Sequence, residues 1–311
     1  MKQSVVYIGI DVAKAHLDVA WAGVSRRFAN DQKGRAALVN WIKGSPSAAA
    51  AQLICEASGG YEQALLESLE QNNLKATLVQ AVRVRQYARA AGILAKTDKI
   101  DAKVLAAFGS AIQPKPTQPL AAEQKLLREL EAQRRHLSRV LVGEENRLGQ
   151  MSCAELRSLS RSLINKIKKQ IALVDARIER LIAQDQILCA KAQKLTAISG
   201  VGRRTAALLL AQMPELGQLN RRQAAALAGL APFNYDSGSL RAKRAIFGGR
   251  RAPRSGLYMA ALSAARYNPI LSNFYRRMRV KGKPHKLALT AVMRKLLLAL
   301  NSTLKPIACS T

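Results

Sequence analysis

The first 112 residues alternate between short apolar runs and segments with helical spacing, and this order restricts the fold more than any other feature of the chain. Three strand-like runs come first, and helices and strands then take turns. The predicted strands are 5–12, 16–22, 26–30, 51–57 and 75–81, and the predicted helices are 32–43, 61–73, 84–92 and 101–109. Three consecutive strands followed by this alternation predict an α/β domain with a mixed sheet.

The remaining residues are predicted to be mainly helical. The segment QPKPTQP (113–119) contains three prolines and is typical of a linker. Residues 123–191 are charged and helical, with apolar residues at steps of three and four from Leu156 to Leu181, which predicts a coiled-coil hairpin. A hairpin packed only on itself and an oligomer interface both remain open. We therefore predict three parts: a domain at 1–112, a linker and coiled coil at 113–190, and a mostly helical domain at 191–311.

The net positive charge of the chain indicates a polyanionic partner. There are 50 Lys and Arg against 20 Asp and Glu, giving a formal net charge of +30 and a pI near 10.7, which favours nucleic acid. An anionic membrane is the rival, but we find no signal peptide, no apolar run of about 18 residues and no basic amphipathic anchor. We expect a soluble, cytoplasmic protein. Residues 186–311 hold 22 Lys or Arg and only two acids, a concentration typical of phosphate-backbone binding.

Within this basic region, ISGVGRRTAALLL (198–210) has a glycine turn that opens an apolar helix. Exposed N–H groups at such a helix start can bind a phosphate, and Arg203 and Arg204 add positive charge. The same residues could also form an ordinary tight turn without binding phosphate. Because the charge of the region agrees, we predict a helix-hairpin-helix-like contact with nucleic acid that includes Gly200 and Gly202.

Four acids of the first domain stand out in a chain with so few of them. Asp11 and Glu56 each follow an apolar strand, where an unpaired charge would be costly. Asp98 and Asp101 lie three residues apart on one face of a predicted helix. If the two strands are neighbours, a helix across their ends would bring the four acids together, and divalent cations would offset their repulsion. Screening of the helical pair by nearby lysines on a solvated face is the alternative.

The other common metal ligands are scattered along the chain. The four cysteines form no CxxC pair and the three histidines are far apart, so neither a disulfide framework nor a thiolate zinc site is predicted. His16, like the other two histidines, is expected to be an ordinary surface or helix residue. The predicted cation is therefore Mg²⁺ or Mn²⁺, held by oxygen ligands.

Five segments in order resemble the DEDD transposases of bacterial insertion sequences (insertion-sequence family one-ten, with the Piv-type invertases). They are YIGIDVAK, ICEASGGYE, AKTDKIDAKVLA, ISGVGRRTAALLLA and GLAPFNYDSGSLRAKRAIFGGR, and they span nearly the whole chain. The resemblance implies a RuvC-like first domain in which Asp11, Glu56, Asp98 and Asp101 bind metal, and the order of strands and helices is also that of the ribonuclease H-like fold. Departures at Ser58 and Ala242 affect no proposed ligand.

The resemblance also implies a serine nucleophile in the DSG stretch, Ser237, and guidance by a structured RNA, the bridge RNA, whose loops pair with donor and target DNA. On its own chemistry Ser237 is an ordinary serine of a basic loop, because a hydroxyl needs a base or a metal to become nucleophilic. Ser239 is the nearest alternative. The basic residues that follow extend the predicted nucleic-acid contacts to Arg241, Lys243, Arg244, Arg250 and Arg251.

We therefore predict a site-specific DNA recombinase that acts as a homo-oligomer, at the bacterial nucleoid, on donor and target DNA. Our hypothesis is a composite site, in which cations bound by the acids activate the scissile phosphate and Ser237 attacks it to form a phosphoserine link to DNA. One alternative is a RuvC-like nuclease that uses a metal-activated water and does not need the serine. The other is a non-catalytic nucleic-acid-binding protein, against which the intact set of four acids argues.

Overall fold

The chain divides into two compact units, residues 1–119 and 120–311. The computed structural model describes residues 5–95, 97–233, 236–237, 240–241 and 245–305, without the side chains of 99, 236, 237, 240 and 241. The boundary between the units falls at the end of the proline-containing segment 113–119 that the sequence predicts to be a linker. None of the helices in the described ranges is long and apolar enough to cross a membrane.

Five strands form one mixed sheet in the first unit. They are β1 (Val6–Val12), β2 (His16–Trp21), β3 (Val24–Ala29), β4 (Ala51–Glu56) and β5 (Lys75–Val79). Their order across the sheet is β3-β2-β1-β4-β5. β2 is antiparallel to both of its neighbours, whereas β1, β4 and β5 are parallel to one another. The predicted mixed sheet is confirmed.

A two-residue turn, Ala22–Gly23, joins β2 to β3. Both residues have positive φ, 47° and 82°, which is the backbone of a tight hairpin turn whose twist suits antiparallel strands. The register that follows from this turn pairs Asp18 with Arg27. β1 continues the same row across the sheet, because Asp11 pairs with Asp18.

Four helices cover the two faces of the sheet. They are α1 (Gln32–Lys43), α2 (Gln63–Gln71), α3 (Ala81–Ala90) and α4 (Asp98–Ile112), and a 3₁₀ turn, Ala48–Ala50, precedes β4. Ile8 and Ile10 of β1 belong to the core formed with α1 and α2. The opposite face, where Gly9 and Asp11 lie by strand alternation, is covered by α4.

The absence of a side chain at Gly9 lets α4 lie directly on β1. A Cβ atom at Gly9 would be only 2.0 Å from the carbonyl oxygen of Ala102. Further along the helix, a Cβ atom at Gly109 would be 2.7 Å from the ring of Tyr7. α4 therefore runs in the opposite direction to β1, and its first turn lies toward Asp11.

Two long helices form an antiparallel hairpin at the start of the second unit. They are α5 (Ala122–Gln150) and α6 (Ala154–Gln184). Arg134 pairs with Asp175 at 2.5 Å, and Glu145 pairs with Lys168 at 2.9 Å. The hairpin was predicted.

The buried face of α6 differs from the predicted seam in its first turns. Ser160, Ile164, Ile167 and Ile178 are buried, whereas the leucines at 156, 159 and 163 are 53%, 64% and 44% exposed. Steps of three and four define two adjacent stripes on such a helix, and α5 covers the one that includes Ile164. The outer stripe of leucines is left on the surface of the chain.

Among its described residues, the rest of the second unit is mainly helical, with four short strands. The helices are α7 (Gln186–Thr196), α8 (Arg203–Gln212), α9 (Arg221–Leu227), α10 (Arg251–Tyr267), α11 (Pro269–Val280) and α12 (His285–Thr303). The strands are β6 (Pro232–Phe233), β7 (Asp236–Ser237), β8 (Leu240–Arg241) and β9 (Ala245–Ile246). One core includes side chains from all eight helices, α5 to α12, that the structure describes in this unit, and α12 contributes most to it, with Val292, Leu296 and Leu300 fully buried.

Replacing Gly9 by alanine should destabilise the first unit, because the new methyl group would overlap the backbone of α4 at Ala102. Overpacking of this kind costs roughly 1–3 kcal/mol, which thermal unfolding followed by circular dichroism would detect as a lower midpoint. Gly143→Ala on α5 is the control, since a Cβ atom there meets nothing within 4 Å and alanine favours helix. Equal midpoints for Gly9→Ala and wild type would show that α4 does not depend on this contact.

Candidate functional site

Asp11 lies near the carboxyl end of β1, on the face that α4 covers. In the antiparallel pair with β2 it stands directly opposite Asp18, so two carboxylates share one face of the sheet at the distance of cross-strand neighbours. Burial raises the pKa of Asp11, and the negative charges of Asp101, Asp98 and Asp18 raise it further. Each of these carboxylates is thus close enough to oppose the ionisation of Asp11.

Asp98 and Asp101 both lie in the first turn of α4. Thr97 caps this helix, because its hydroxyl accepts a hydrogen bond from the Ile100 N–H at 3.4 Å. The positive end of the helix dipole favours carboxylates in this turn, which partly offsets the repulsion between them. The helix start and the close packing at Gly9 together bring this pair to the edge where β1 ends.

Glu56 is the last residue of β4, the parallel neighbour of β1. The last paired residues of the two strands are Ile10 and Cys55, so Glu56 is the next position along the ladder, beside Asp11. The loop after it is organised by Glu62, whose carboxylate accepts hydrogen bonds from the N–H and the hydroxyl of Ser58. Glu62 therefore supports the chain that leads into α2.

Three residues of this edge were not predicted: Asp18, His16 and Arg27. Asp18 is 3% exposed and accepts a bidentate pair of hydrogen bonds from Arg27, at 3.0 and 2.8 Å. The Nε2 atom of His16 lies 3.3 Å from Asp98 and 3.4 Å from Asp18. The expectation that His16 is an ordinary surface or helix residue is wrong, because it lies in β2 and contacts two of these acids.

The signal for Asp18 was present in the sequence. It stands between Leu17 and Val19 in an apolar strand, and the criterion that selected Asp11 and Glu56, an acid among buried apolar residues, applies to it equally. The signal for Arg27 was weaker, because an arginine in a weakly predicted edge strand is ordinary.

The acids at this edge fit a hard divalent cation. Carboxylate oxygens predominate among the donors, as Mg²⁺ and Mn²⁺ prefer. Burial and the neighbouring acids raise the pKa of Asp11, a cost that a bound cation would offset. Within the described part of the chain, the one set of three potential ligand atoms that lie within 4.8 Å of one another is His16, Asp18 and Asp98. No three of the four predicted acids meet that spacing.

Ser237, the predicted nucleophile, lies in the second unit. It belongs to β7, which pairs with β8 so that Ser237 stands opposite Leu240 and Asp236 opposite Arg241. The structure describes only the backbone of these four residues. Ser239, Lys243 and Arg244 lie outside the described residues.

Three of the predicted nucleic-acid contacts line a groove of about 1300 Å³ between the α5–α6 hairpin and helices α7, α8 and α10. We call it the basic groove. Its cations are Arg134, Arg135, Arg139, Arg203, Arg204 and Arg251, and its acids are Glu131, Asp175 and Glu179. Arg203 and Arg251 are the first residues of α8 and α10, so the amino-terminal turns of two helices line the groove with their positive dipole ends.

Other predicted contacts have structural partners. Arg250 donates to both carboxylate oxygens of Glu215, at 2.8 and 2.7 Å, and to the carbonyl oxygen of Gln212. Gly200 has a φ of +102°, and a Cβ atom there would lie 2.6 Å from that of Ala264, so the turn before α8 packs tightly on α10. Gly202, in contrast, has open space around it.

The turn between α11 and α12 is a basic surface that the prediction of individual contacts missed. Its exposed cations are Arg276, Arg277, Arg279, Lys281, Lys283 and Lys286. A hydrogen bond of 2.6 Å between the Tyr275 hydroxyl and His285 Nδ1 links the two helices across the turn. The signal was the charge run itself, RRMRVKGKPHK, which was counted in the net charge but not assigned a contact.

The chain is similar to bacterial transposases and gene-inverting proteins. Residues 8–151 match the family model of DEDD transposases of the IS110 type, and residues 192–276 match the model described as transposase IS116/IS110/IS902 family. The pilin gene-inverting proteins of Moraxella lacunata and Moraxella bovis are 33% identical to it, over 94% of this chain and 94% of each relative. An uncharacterised 43.6 kDa protein of insertion element IS110 from Streptomyces coelicolor is 30% identical over 43% of this chain and 33% of that protein.

Asp11→Asn should stabilise the protein when a chelator removes divalent cations, because it deletes a charge that burial and three acids oppose. The pKa of Asp11 is raised, so the folded state binds this proton more tightly than the unfolded state. Its ionisation therefore lowers stability as pH rises above about 3.8, the unfolded value, through the folded pKa. The gain in unfolding midpoint should be present at pH 7 and shrink toward acid pH.

The control for this experiment is Glu129→Gln, which removes an exposed acid of α5 and should give no such gain. A midpoint for Asp11→Asn at or below that of wild type at pH 7 would contradict the mutual repulsion described above.

Proposed function

Because the chain belongs to the IS116/IS110/IS902 family of transposases, we propose that it is a site-specific DNA recombinase that mobilises an insertion element. The observation that carries this proposal is the convergence of Asp11 with Asp98 and Asp101 at one edge of the sheet, with Glu56 beside it on β4. The two pilin gene-inverting proteins are named for a DNA rearrangement, and they support strand exchange, rather than hydrolysis alone, as the reaction.

We propose that the first unit is ribonuclease H-like and RuvC-like. The supporting feature is the strand order β3-β2-β1-β4-β5 with β2 antiparallel to its neighbours, combined with acids at the ends of β1 and β4. In this proposal Asp11, Glu56, Asp98 and Asp101 bind Mg²⁺ or Mn²⁺. Such cations, when bound, polarise a phosphate and stabilise the attacking and leaving oxygens of a displacement.

Ser237 is the proposed nucleophile. Its hydroxyl oxygen attacks the scissile phosphorus and loses its proton, and a phosphoserine bond forms as the bond from phosphorus to the leaving deoxyribose oxygen breaks. The leaving oxygen takes up a proton and becomes a free hydroxyl group. The hydroxyl of the new partner strand then attacks the phosphoserine, which restores a phosphodiester and frees Ser237. Bond energy is conserved through both steps, so joining needs no ATP.

We propose that a structured RNA, encoded beside the gene, guides the choice of donor and target DNA. The support from this chain is electrostatic: residues 186–311 hold 22 Lys or Arg and two acids, and one of those acids, Glu215, is paired with Arg250. Positive charge serves RNA and DNA alike, so the source of the phosphate must be distinguished by experiment.

We also propose that the protein acts as a homo-oligomer, because strand exchange requires two duplexes to be held and several strands to be cut. The leucine stripe at 156, 159 and 163 supports α6 as part of the interface. These side chains are 53%, 64% and 44% exposed, and three leucines on one helix face are costly to leave in water.

Ser237→Ala and Asp11→Ala should each abolish recombination between donor and target plasmids in Mg²⁺ with the flanking transcript. Loss of a nucleophile or of an essential acid typically lowers the rate by about 10⁴-fold or more. Denaturing gels should show protein-linked DNA for wild type and for Ser239→Ala, the control, and none for Ser237→Ala. Cleavage that persists in Ser237→Ala without an adduct would instead identify a metal-dependent nuclease that uses water.

Removal of the groove arginines should weaken binding of nucleic acid in general rather than of one sequence. For the double variant Arg203→Ala and Arg251→Ala we expect lower affinity. The slope of log affinity against log salt concentration should also become less negative, by about 0.9 for each lost DNA phosphate contact. Duplex DNA and the flanking transcript are titrated separately, which tells whether the groove serves DNA, RNA or both.

Arg221→Ala is the matched control for the groove, because Arg221 begins α9 and is exposed but does not line the groove. If it weakens binding as much as the double variant does, the contacts are spread over the surface and the groove has no special role.

A further inference from the structure

The edge of the sheet holds a fifth carboxylate that the proposed set of metal-binding acids does not include. The side chain of Asp18 is only 5% exposed, and it stands opposite Asp11 in the β1–β2 pair. Asp11 is affected by it, since the charge of Asp18 contributes to the raised pKa of Asp11. A buried carboxylate beside another one is costly unless a cation compensates it.

Arg27 supplies that cation from the neighbouring strand. It pairs with Asp18 in the β2–β3 register, so Asp11, Asp18 and Arg27 form one row across three strands. The Arg27 Nε atom donates to Asp18 Oδ1 at 3.0 Å, and Nη2 donates to Oδ2 at 2.8 Å. This is the planar two-bond geometry that arginine, unlike lysine, can offer a carboxylate.

The same guanidinium also reaches α4. Its Nη2 atom donates to Asp98 Oδ2 at 3.3 Å, and His16 Nε2 approaches that oxygen at the same distance. The hydrogen bonds that described residues make to Asp98 thus end on Oδ2, and Oδ1 takes no part in them. Arg27 therefore bridges a buried acid of the sheet and an acid of the first turn of α4.

We propose that Arg27 is a positioning residue of the cation site that acts through Asp18: it neutralises this buried carboxylate and so removes it from the ligand set. The inference rests on the proposed function, because it takes Asp11, Glu56, Asp98 and Asp101 to bind a divalent cation. It adds that the number of ligating carboxylates is set by an internal salt bridge as well as by the acids themselves.

An ordinary surface ion pair is the competing interpretation, since the Arg27 side chain is 53% exposed and such pairs contribute little. Two features distinguish this pair. Its carboxylate is buried, so loss of Arg27 would leave the negative charge of Asp18 without its arginine partner and with little access to water. An exposed carboxylate would instead be stabilised by solvent. The bridge also joins two elements, β3 and α4, that are far apart in sequence.

The test is a Mn²⁺ titration of the full chain by electron paramagnetic resonance, which needs no DNA and no turnover. In Arg27→Gln, Asp18 becomes an uncompensated charge at the site, and we expect Mn²⁺ to bind about 3- to 10-fold more tightly than to wild type. In the double variant Arg27→Gln and Asp18→Asn, both charges are gone and affinity should return to the wild-type value. With a chelator present, Arg27→Gln should unfold at a lower temperature than wild type, and the double variant should recover.

Arg26→Gln is the matched control. Arg26 is the adjacent residue of β3, but it lies over the ring of Trp41 at 5.1 Å on the opposite face of the sheet, so its loss should leave Mn²⁺ affinity unchanged. Unchanged or weaker Mn²⁺ binding in Arg27→Gln, or a double variant that does not return toward wild type, overturns the positioning role.

Asp11→Ala separates this inference from the proposed function. Loss of Mn²⁺ binding in Asp11→Ala, with wild-type affinity in Arg27→Gln, would retain the cation site and reject Arg27 as its positioning residue. Wild-type protein that binds no Mn²⁺, or Asp11→Ala that binds it normally, would reject the proposed cation site and this inference with it. Mn²⁺ bound by Asp11→Ala but lost in a His16→Ala variant would assign the metal to His16, Asp18 and Asp98 instead.

Discussion

The acid cluster depends on one contact, the packing of α4 against β1 at Gly9. Because a Cβ atom there would overlap the Ala102 carbonyl oxygen, the helix lies closer to this strand than any side chain would allow. Val104, Leu105 and Phe108 of the same helix are buried beneath it, and each such side chain contributes about 1.5–3 kcal/mol through its removal from water. This apolar contact holds Asp98 and Asp101 near Asp11 against their mutual repulsion.

Charge has opposite arrangements in the two units. In the first unit, acids are concentrated at one edge and cations such as Arg27 are attached to them individually. In the second, cations lie along the basic groove and the α11–α12 turn, and acids such as Glu215 and Asp175 serve to fix arginines in place. The first arrangement suits a few strong contacts with cations. The second suits many weak contacts with a phosphate backbone, of which several can be lost without loss of binding.

Local patterns predicted the strands and helices of the first unit because each signal is contained within one element. The placement of Asp11 and Glu56 after apolar strands and the three-residue spacing of Asp98 and Asp101 are local too, and they were sufficient to predict that the four acids lie at one edge. The contacts of Arg27 with the acids could not be predicted in this way, because they depend on the register of β2 against β3 and on a helix 71 residues away. The first turns of the buried stripe of α6 were predicted one step off, since adjacent apolar stripes satisfy the same spacing and only the partner helix decides between them. Arg250 looked like a nucleic-acid contact until its carboxylate partner, 35 residues earlier, was known.

The hairpin turn at Ala22–Gly23 has a consequence for how this protein can change during evolution. Side chains alternate between the faces of a strand, so one inserted or deleted residue in the turn would exchange the environments of Arg26 and Arg27. The arginine now over Trp41 would then lie on the face of the acids, and the arginine that compensates Asp18 would lie on the face of Trp41. A loop at the surface, which ordinarily tolerates changes of length, is therefore fixed at two residues by the charge balance of a site two strands away. Relatives that keep an acid at position 18 should keep this loop length, whatever residues form it.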